Sequence, residues 1–249
     1  MSTAPSRPVI LIPARMASTR LPNKPLADIL GLPMIVRVYQ RAMAARIGAV
    51  FVACAEPEIA EAVTAAGGQA ILTDPNHPSG SDRIFEALNK ADPSRQFDAI
   101  INVQGDLPTV EPATIKAVYD ALGAAEVDIS TAIAPIKHEA DRQNPAIVKA
   151  VVELKPGARS GRALYFSRAV VPANEGPHWH HIGLYGYKRT ALERFVKMPP
   201  AELEKREKLE QLRALAAGMY IEAAVVDEVP LGVDTPAELA LAREMVACS

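Results

Sequence analysis

Arg15, Ser18, Thr19, Arg20 and Lys24 crowd onto one short loop directly after the apolar run Val9–Ile12. Cations and hydroxyls together behind a buried strand suit a polyphosphate. Hydroxyls and backbone N–H groups can cradle its oxygens while Arg and Lys neutralise its charge. The loop contains no glycine, so it is neither a P-loop nor a dinucleotide fingerprint. A solvated basic loop is the plainer alternative.

Two aspartates stand where such a site would need them. Asp106 follows the strand pattern Ile100–Val103, in the loop Gln104-Gly-Asp-Leu-Pro108. Ligands of open α/β sheets bind beyond the carboxyl ends of strands, although a turn aspartate beside glycine is also common. Asp234 lies in Leu231-Gly-Val-Asp-Thr-Pro236, just ahead of a helix that Thr235 already caps. It either favours the positive end of that helix or points into the cleft. Two such carboxylates can hold Mg²⁺ while substrate phosphates fill the remaining octahedral positions. Carboxylates for the metal and cations for phosphate are what nucleotidyl transfer requires.

Other polar clusters carry less. Ser79-Gly-Ser-Asp-Arg83 opens a helix and suits an anion, but reads equally as an ordinary N-cap. His178-Trp-His-His181 has spacing for zinc, yet no nearby cysteine or carboxylate completes a ligand set. A histidine there binding an anionic substrate is the better fit. Glu202 to Arg213 reads as a solvated helix face with a pair such as Glu204–Lys208, leaving Glu210 and Gln211 unremarkable by pattern.

The elements that position these residues alternate in the first half as βαβ units, implying a largely parallel sheet. Strands are expected at 9–12, 49–53, 69–73 and 99–103. Helices are expected after Pro33, with Ile35, Tyr39, Ala42 and Met43 inward, at 57–66, at 82–91 and from Pro112. The middle, with strands at 129–136, 147–154 and 163–166, reads as an antiparallel excursion and an interaction surface. A helix over 201–217, a strand at 220–226 and a capping box Thr235-Pro-Ala-Glu238 complete the pattern. One domain over 1–249 is expected, with the excursion at about 129–190.

The 249 residues carry a formal net charge of −2, which disfavours a dedicated nucleic-acid binder. Cys54 and Cys248 can make neither a disulfide framework nor a cysteine zinc site. The start of the chain is polar and no stretch is apolar enough to span a membrane, so a cytoplasmic protein is expected.

Taken together the motifs resemble the CMP-sugar synthetases. The resemblance rests on Ile12–Leu26, Ser79–Arg83, Asn102-Val-Gln-Gly-Asp106, Ala163–Arg168, His181–Tyr187, Leu209-Glu-Gln-Leu-Arg213 and Gly232–Pro236, in that order. It implies a three-layer α/β nucleotidyltransferase fold with a mostly parallel central sheet and a homodimer formed through the excursion. It also implies activation of the eight-carbon sugar acid 3-deoxy-D-manno-octulosonate (Kdo) by CTP with Mg²⁺, for lipopolysaccharide assembly. By position Arg15 and Lys24 match the triphosphate-binding residues, and Arg83 matches the arginine beside cytosine. Asp106 and Asp234 match the magnesium ligands. Gln104, Arg168, His181, Tyr185, Glu210 and Gln211 match the sugar-acid pocket. Met16, Asn23 and Leu107 depart from the family pattern, which more often has tyrosine, glycine and an acidic residue there. Asparagine tolerates the positive φ that glycine would supply. Leu107 removes a charge near the metal. Sialic acid and the 8-amino analogue of Kdo are rival substrates, and a non-catalytic nucleotide-binding protein is a rival class. A hexose nucleotidyltransferase is disfavoured by the glycine-free loop.

Overall fold

The computed structural model describes residues 4–248. The described residues fall into two compact units, one of Ser6–Lys116 with Pro230–Cys248, the other of Ala117–Val229 with Ala4 and Pro5.

In the first unit, β1 (Pro8–Ala14) leads to a small hairpin, β2 (Asp28–Ile29) and β3 (Leu32–Pro33), and then to α1 (Met34–Ala44). Two strand–helix steps follow, β4 (Ala49–Cys54) with α2 (Pro57–Ala65) and β5 (Ala70–Leu72) with α3 (Gly80–Ala91), before β6 (Ala99–Asn102). The order is β5-β4-β1-β6, and every pairing is parallel. The helices supply the crossovers that parallel neighbours need. Val9, Ile10, Leu11 and Ile12 are wholly buried, which explains an unbroken apolar run. Each contributes about 1.5–3 kcal/mol by leaving water. On α1 the buried stripe runs through Met34, Ile35, Val38, Tyr39 and Ala42 and ends there. Met43, expected inside, sits in the last turn and is exposed.

The helix α4 (Pro112–Asp120) carries the chain into the second unit. There β7 (Ile129–Pro135), the short α5 (Glu139–Gln143), β8 (Lys149–Glu153), β9 (Ser160–Ser167) and β10 (Trp179–Lys188) follow in turn. Then come α6 (Arg189–Phe195), α7 (Glu202–Glu207), α8 (Gln211–Ala216) and β11 (Ile221–Val225). Pairings of β10 with β7 and β8, and of β9 with β8 and β11, are antiparallel; β11 runs parallel to β7. The ten-residue β10 has no counterpart in the sequence pattern.

The single helix expected over 201–217 is broken. Lys208 takes a left-handed conformation at φ +56° and ends α7, so α8 starts afresh at Gln211. Glu204 consequently does not pair with Lys208. It meets Arg213 instead, and both side chains are largely buried.

The last helix, α9 (Pro236–Ala247), belongs again to the first unit. It starts at the expected capping box, with Thr235 accepting from the Glu238 N–H and Glu238 reaching back. Leu239 and Ala242 pack with Val233 against Ile29 and Met34, which fastens the Asp234 loop to the β2–β3 hairpin. No helix among the described residues is long and apolar enough to cross a membrane.

Candidate functional site

In the first unit a cleft of about 410 Å³ opens at the carboxyl ends of β1 and β6, lined by Arg15, Ser18, Lys24, Gln104, Asp106 and Asp234 among others. Three segments build it. The loop after β1 turns at Asn23, whose φ of +56° and ψ of +30° are left-handed. Asparagine takes this conformation where most side chains resist it, as the sequence suggested. A single 3₁₀ turn, Lys24–Leu26, follows and directs Lys24 inward.

The second segment is the Gln104–Asp106 turn. A Cβ on Gly105 would stand 2.7 Å from the Pro13 carbonyl oxygen, so this turn lies directly against the end of β1. The third is the loop before α9. The Val233 N–H donates to the Asp106 carbonyl at 2.9 Å, joining the two aspartate loops. The N–H groups of Asp234 and Thr235 both donate to Glu238 Oε2 at 2.8 Å, leaving the Asp234 carboxylate free of capping duty.

The carboxylates converge on one cation. Lys24 Nζ donates to Asp106 Oδ2 at 2.8 Å and to Asp234 Oδ1 at 3.0 Å. Arg20 meets the other oxygen of Asp234 at 2.9 Å. Burial opposes the charge on Lys24, but Asp106 and then Asp234 outweigh it, and its pKa is raised. The arrangement therefore holds two carboxylates against one fixed ammonium, with Arg15 exposed on the same cleft.

Other residues of this unit fall differently. Arg83 is buried beneath the turn that follows β5, donating to Thr73 Oγ1 at 2.6 Å and to the Pro75 carbonyl at 3.4 Å. It is not on the cleft wall. Ser79 is the N-cap of α3, accepting from the Asp82 N–H at 3.2 Å. Leu107 is buried beside Gly232 and acts as packing between the aspartate loops.

The second unit gathers a separate polar cluster. Arg168 leaves the end of β9 with its Nε on the Glu207 carbonyl at 3.2 Å and another nitrogen on the Pro145 carbonyl at 3.1 Å. Carbonyls hold the guanidinium without neutralising it. The Glu207 carboxylate accepts from Ser167 Oγ at 3.0 Å and from the Arg168 N–H at 3.2 Å.

His181 is buried on β10, packed edge-on against Phe166 with ring centroids 4.7 Å apart. Burial, with His180 adding to it, lowers its pKa to about 3. A histidine so placed offers hydrogen bonds but no positive charge. Its ring nitrogens face Thr131 Oγ1 at 3.0 Å and Gln211 Nε2 at 3.5 Å. Tyr185 lies 5.6 Å away ring to ring, its hydroxyl held neutral by burial and by the neighbouring Tyr187 and Glu210. His178 holds both ring nitrogens on carbonyls, of Gly176 at 3.0 Å and Pro172 at 2.9 Å. Its role there is to tie down the approach to β10.

Four participants escape the sequence reading of roles. Arg20 reads only as one loop cation among several. Glu238 reads only as a cap, and Glu207 as part of a solvated face. Thr131 is hidden within the apolar strand Ile129–Ile133. The capping box at 235–238 could have shown that Asp234 has its main chain pinned.

The profile of the family described as Cytidylyltransferase matches residues 9–221. A 3-deoxy-manno-octulosonate cytidylyltransferase of Paramagnetospirillum magneticum is 62% identical over 239 residues, covering 96% of this chain and 97% of that one. One from Rhodospirillum centenum is 61% identical over 246 residues, covering 99% and 96%. A solved structure of CMP:2-keto-3-deoxy-manno-octonic acid synthetase complexed with CTP aligns with a TM-score of 0.90 at 37% identity, covering 98% of this chain and 99% of the other.

Proposed function

The chain belongs to the cytidylyltransferase family, and from that premise we infer that it activates Kdo with CTP. The sugar hydroxyl attacks the α-phosphorus of CTP, giving CMP-Kdo and releasing pyrophosphate. The observation that carries this reading is identity of about 60% over nearly the whole chain with relatives of that one activity.

The residue roles follow from the chemistry each can supply. Arg15, Ser18 and Lys24 bind the triphosphate, and the two cations stabilise the departing pyrophosphate. Gln104, on the turn that carries Asp106, serves the sugar-acid side of the site. Arg168 meets the substrate carboxylate with its unneutralised guanidinium. His181, Tyr185, Glu210 and Gln211 bind sugar hydroxyls, and Arg83 supports the cytosine side from beneath.

Asp106 and Asp234 suit a divalent cation, because an oxygen of each already converges on a single cationic atom, Lys24 Nζ, at 2.8 and 3.0 Å. Two carboxylates with phosphate oxygens make a suitable magnesium set. A magnesium ion held there supplies charge neutralisation at phosphate and a lowered pKa for the attacking hydroxyl. The same inference makes the enzyme a cytoplasmic homodimer serving lipopolysaccharide assembly, with the 129–190 stretch forming most of the subunit contact.

The test is Mg²⁺-dependent pyrophosphate release from CTP, with Kdo, 8-amino-Kdo and sialic acid offered in parallel. Release with Kdo is expected. Release only with another sugar replaces the substrate and keeps the chemistry. No release from a folded protein that binds CTP points to a nucleotide-binding protein instead.

A further inference from the structure

Thr131 occupies an unusual place on β7. Its pairing with β10 slips there, the register shifting between Ile182 and Tyr185. At this irregularity the buried Thr131 hydroxyl meets three groups: the Leu184 carbonyl at 2.9 Å, the Ile182 carbonyl at 3.1 Å and His181 Nε2 at 3.0 Å. A hydroxyl has one proton to give and two lone pairs. The two carbonyls can only accept. Of the three neighbours, the imidazole nitrogen alone can donate. The arrangement that uses both the proton and a lone pair of the hydroxyl sends the proton to a carbonyl and has His181 Nε2–H donate to Thr131 Oγ1.

The other ring nitrogen is matched to this tautomer. With the buried ring neutral, a proton on Nε2 leaves Nδ1 bare. Facing Nδ1 is the Gln211 side-chain amide, its Nε2 at 3.5 Å, which can only donate. The Nε2–H tautomer satisfies both contacts at once while leaving the Thr131 proton for a carbonyl.

We propose that Thr131 is a positioning residue that holds His181 as the Nε2–H tautomer and, through Nδ1, orients the Gln211 amide with its nitrogen inward and its oxygen toward the ligand. The proposal deepens the reading of this cluster as the sugar-acid pocket and rests on it for the ligand's identity. An amide oxygen accepts, so Gln211 selects a sugar hydroxyl and rejects a carboxylate at that position. Specificity for a polyhydroxylated acid thus begins with a threonine that itself touches no substrate.

The test is ¹⁵N NMR of histidine-labelled full-length protein near neutral pH, with the His181 resonances identified by their loss in His181→Asn. The expected spectrum has one protonated nitrogen, Nε2, and one bare nitrogen, Nδ1. Thr131→Val, which keeps the shape and loses the hydroxyl, is expected to give a mixed tautomer. It is also expected to raise KM for Kdo roughly tenfold, the loss of about one hydrogen bond, with KM for CTP unchanged. Thr131→Ser is expected to restore both readouts. A wild-type spectrum with the proton on Nδ1 overturns the proposal, and needs no variant. An unaltered spectrum in Thr131→Val, or in Thr131→Ala should the valine variant not fold, overturns the role of Thr131. A shifted tautomer with KM for Kdo unmoved upholds the Thr131–His181 coupling and overturns the assignment of this cluster to the sugar.

Discussion

Arg213 closes on Glu204 across the break between α7 and α8, with Nε 2.9 Å from one carboxylate oxygen and a terminal nitrogen 2.5 Å from the other. On a straight helix residues nine apart would be separated by about 13.5 Å of rise. The left-handed turn at Lys208 makes the pair possible, and the pair in turn secures the turn. Burial alone would raise the Glu204 carboxyl, but Arg213 and the Ala201 N–H outweigh it and hold the pKa low. Arg213→Ala, which strands a buried carboxylate, should destabilise the protein by about 3 kcal/mol. Urea unfolding of the variant measures this. Arg213→Lys should recover only part of it, since lysine cannot reproduce the two-pronged contact.

Glu86 gives a pH-dependent prediction. Its carboxylate accepts from the Asp74 N–H at 2.9 Å and meets both His77 and Lys90. Burial would raise its pKa; Lys90, the Asp74 N–H and His77 overcome that and bring it to about 2. The folded value is below the unfolded one. The contribution is therefore complete above about pH 4.5 and fades as pH falls toward 2. Glu86→Gln should cost on the order of 1–2 kcal/mol at pH 7. The gap between wild type and variant should narrow below pH 4.5 in denaturant titrations. A gap that widens on acidification would contradict this account.

At Asn23 the backbone makes opposite demands on two small substitutions. Asn23→Ala must hold the left-handed conformation with a residue that adopts it less readily than asparagine, and should lose about 1 kcal/mol. Asn23→Gly should stay within a few tenths of wild type. Thermal melts of both distinguish conformational strain from any loss of side-chain contact.

The cleft charges should separate in kinetics. Asp106→Asn should lower kcat on the order of 10²-fold or more without unfolding the protein. Lys24→Met should also slow turnover, and it should raise KM for CTP far more than KM for Kdo. Pyrophosphate release with each substrate varied in turn provides both numbers. Near-native kcat in Asp106→Asn would remove this residue from the reaction.

Much of this could be read from the chain. Val9–Ile12 announced a buried strand because no position in it faces water. Thr235 and Glu238 announced α9 because capping is chemistry local to four residues. Asp106 and Asp234 stood out by their places in loops. Their meeting at Lys24 did not, since it joins residues 82 and 210 positions apart. The strand β10 was hidden because Gly183 and Gly186 and its slipped register blur the alternation of side chains. The turn at Lys208 was hidden because no glycine marks it. Arg213, five residues later, selects a conformation that lysine alone would not favour. The neutrality of His181 depends on burial by Phe166 and its neighbours, a property of packing with no local signature.

Gly105 bears on how the cleft keeps its dimensions. With no side chain between the Gln104–Asp106 turn and the Pro13 carbonyl, the gap between the basic loop and the acidic loop is set by main chain touching main chain. Rotamers do not enter into it. A methyl group there acts as a wedge of fixed thickness, forcing apart the strand end that begins the cationic loop and the turn that carries Asp106. The close approach of this turn to the end of β1 is thus a property of an omitted atom.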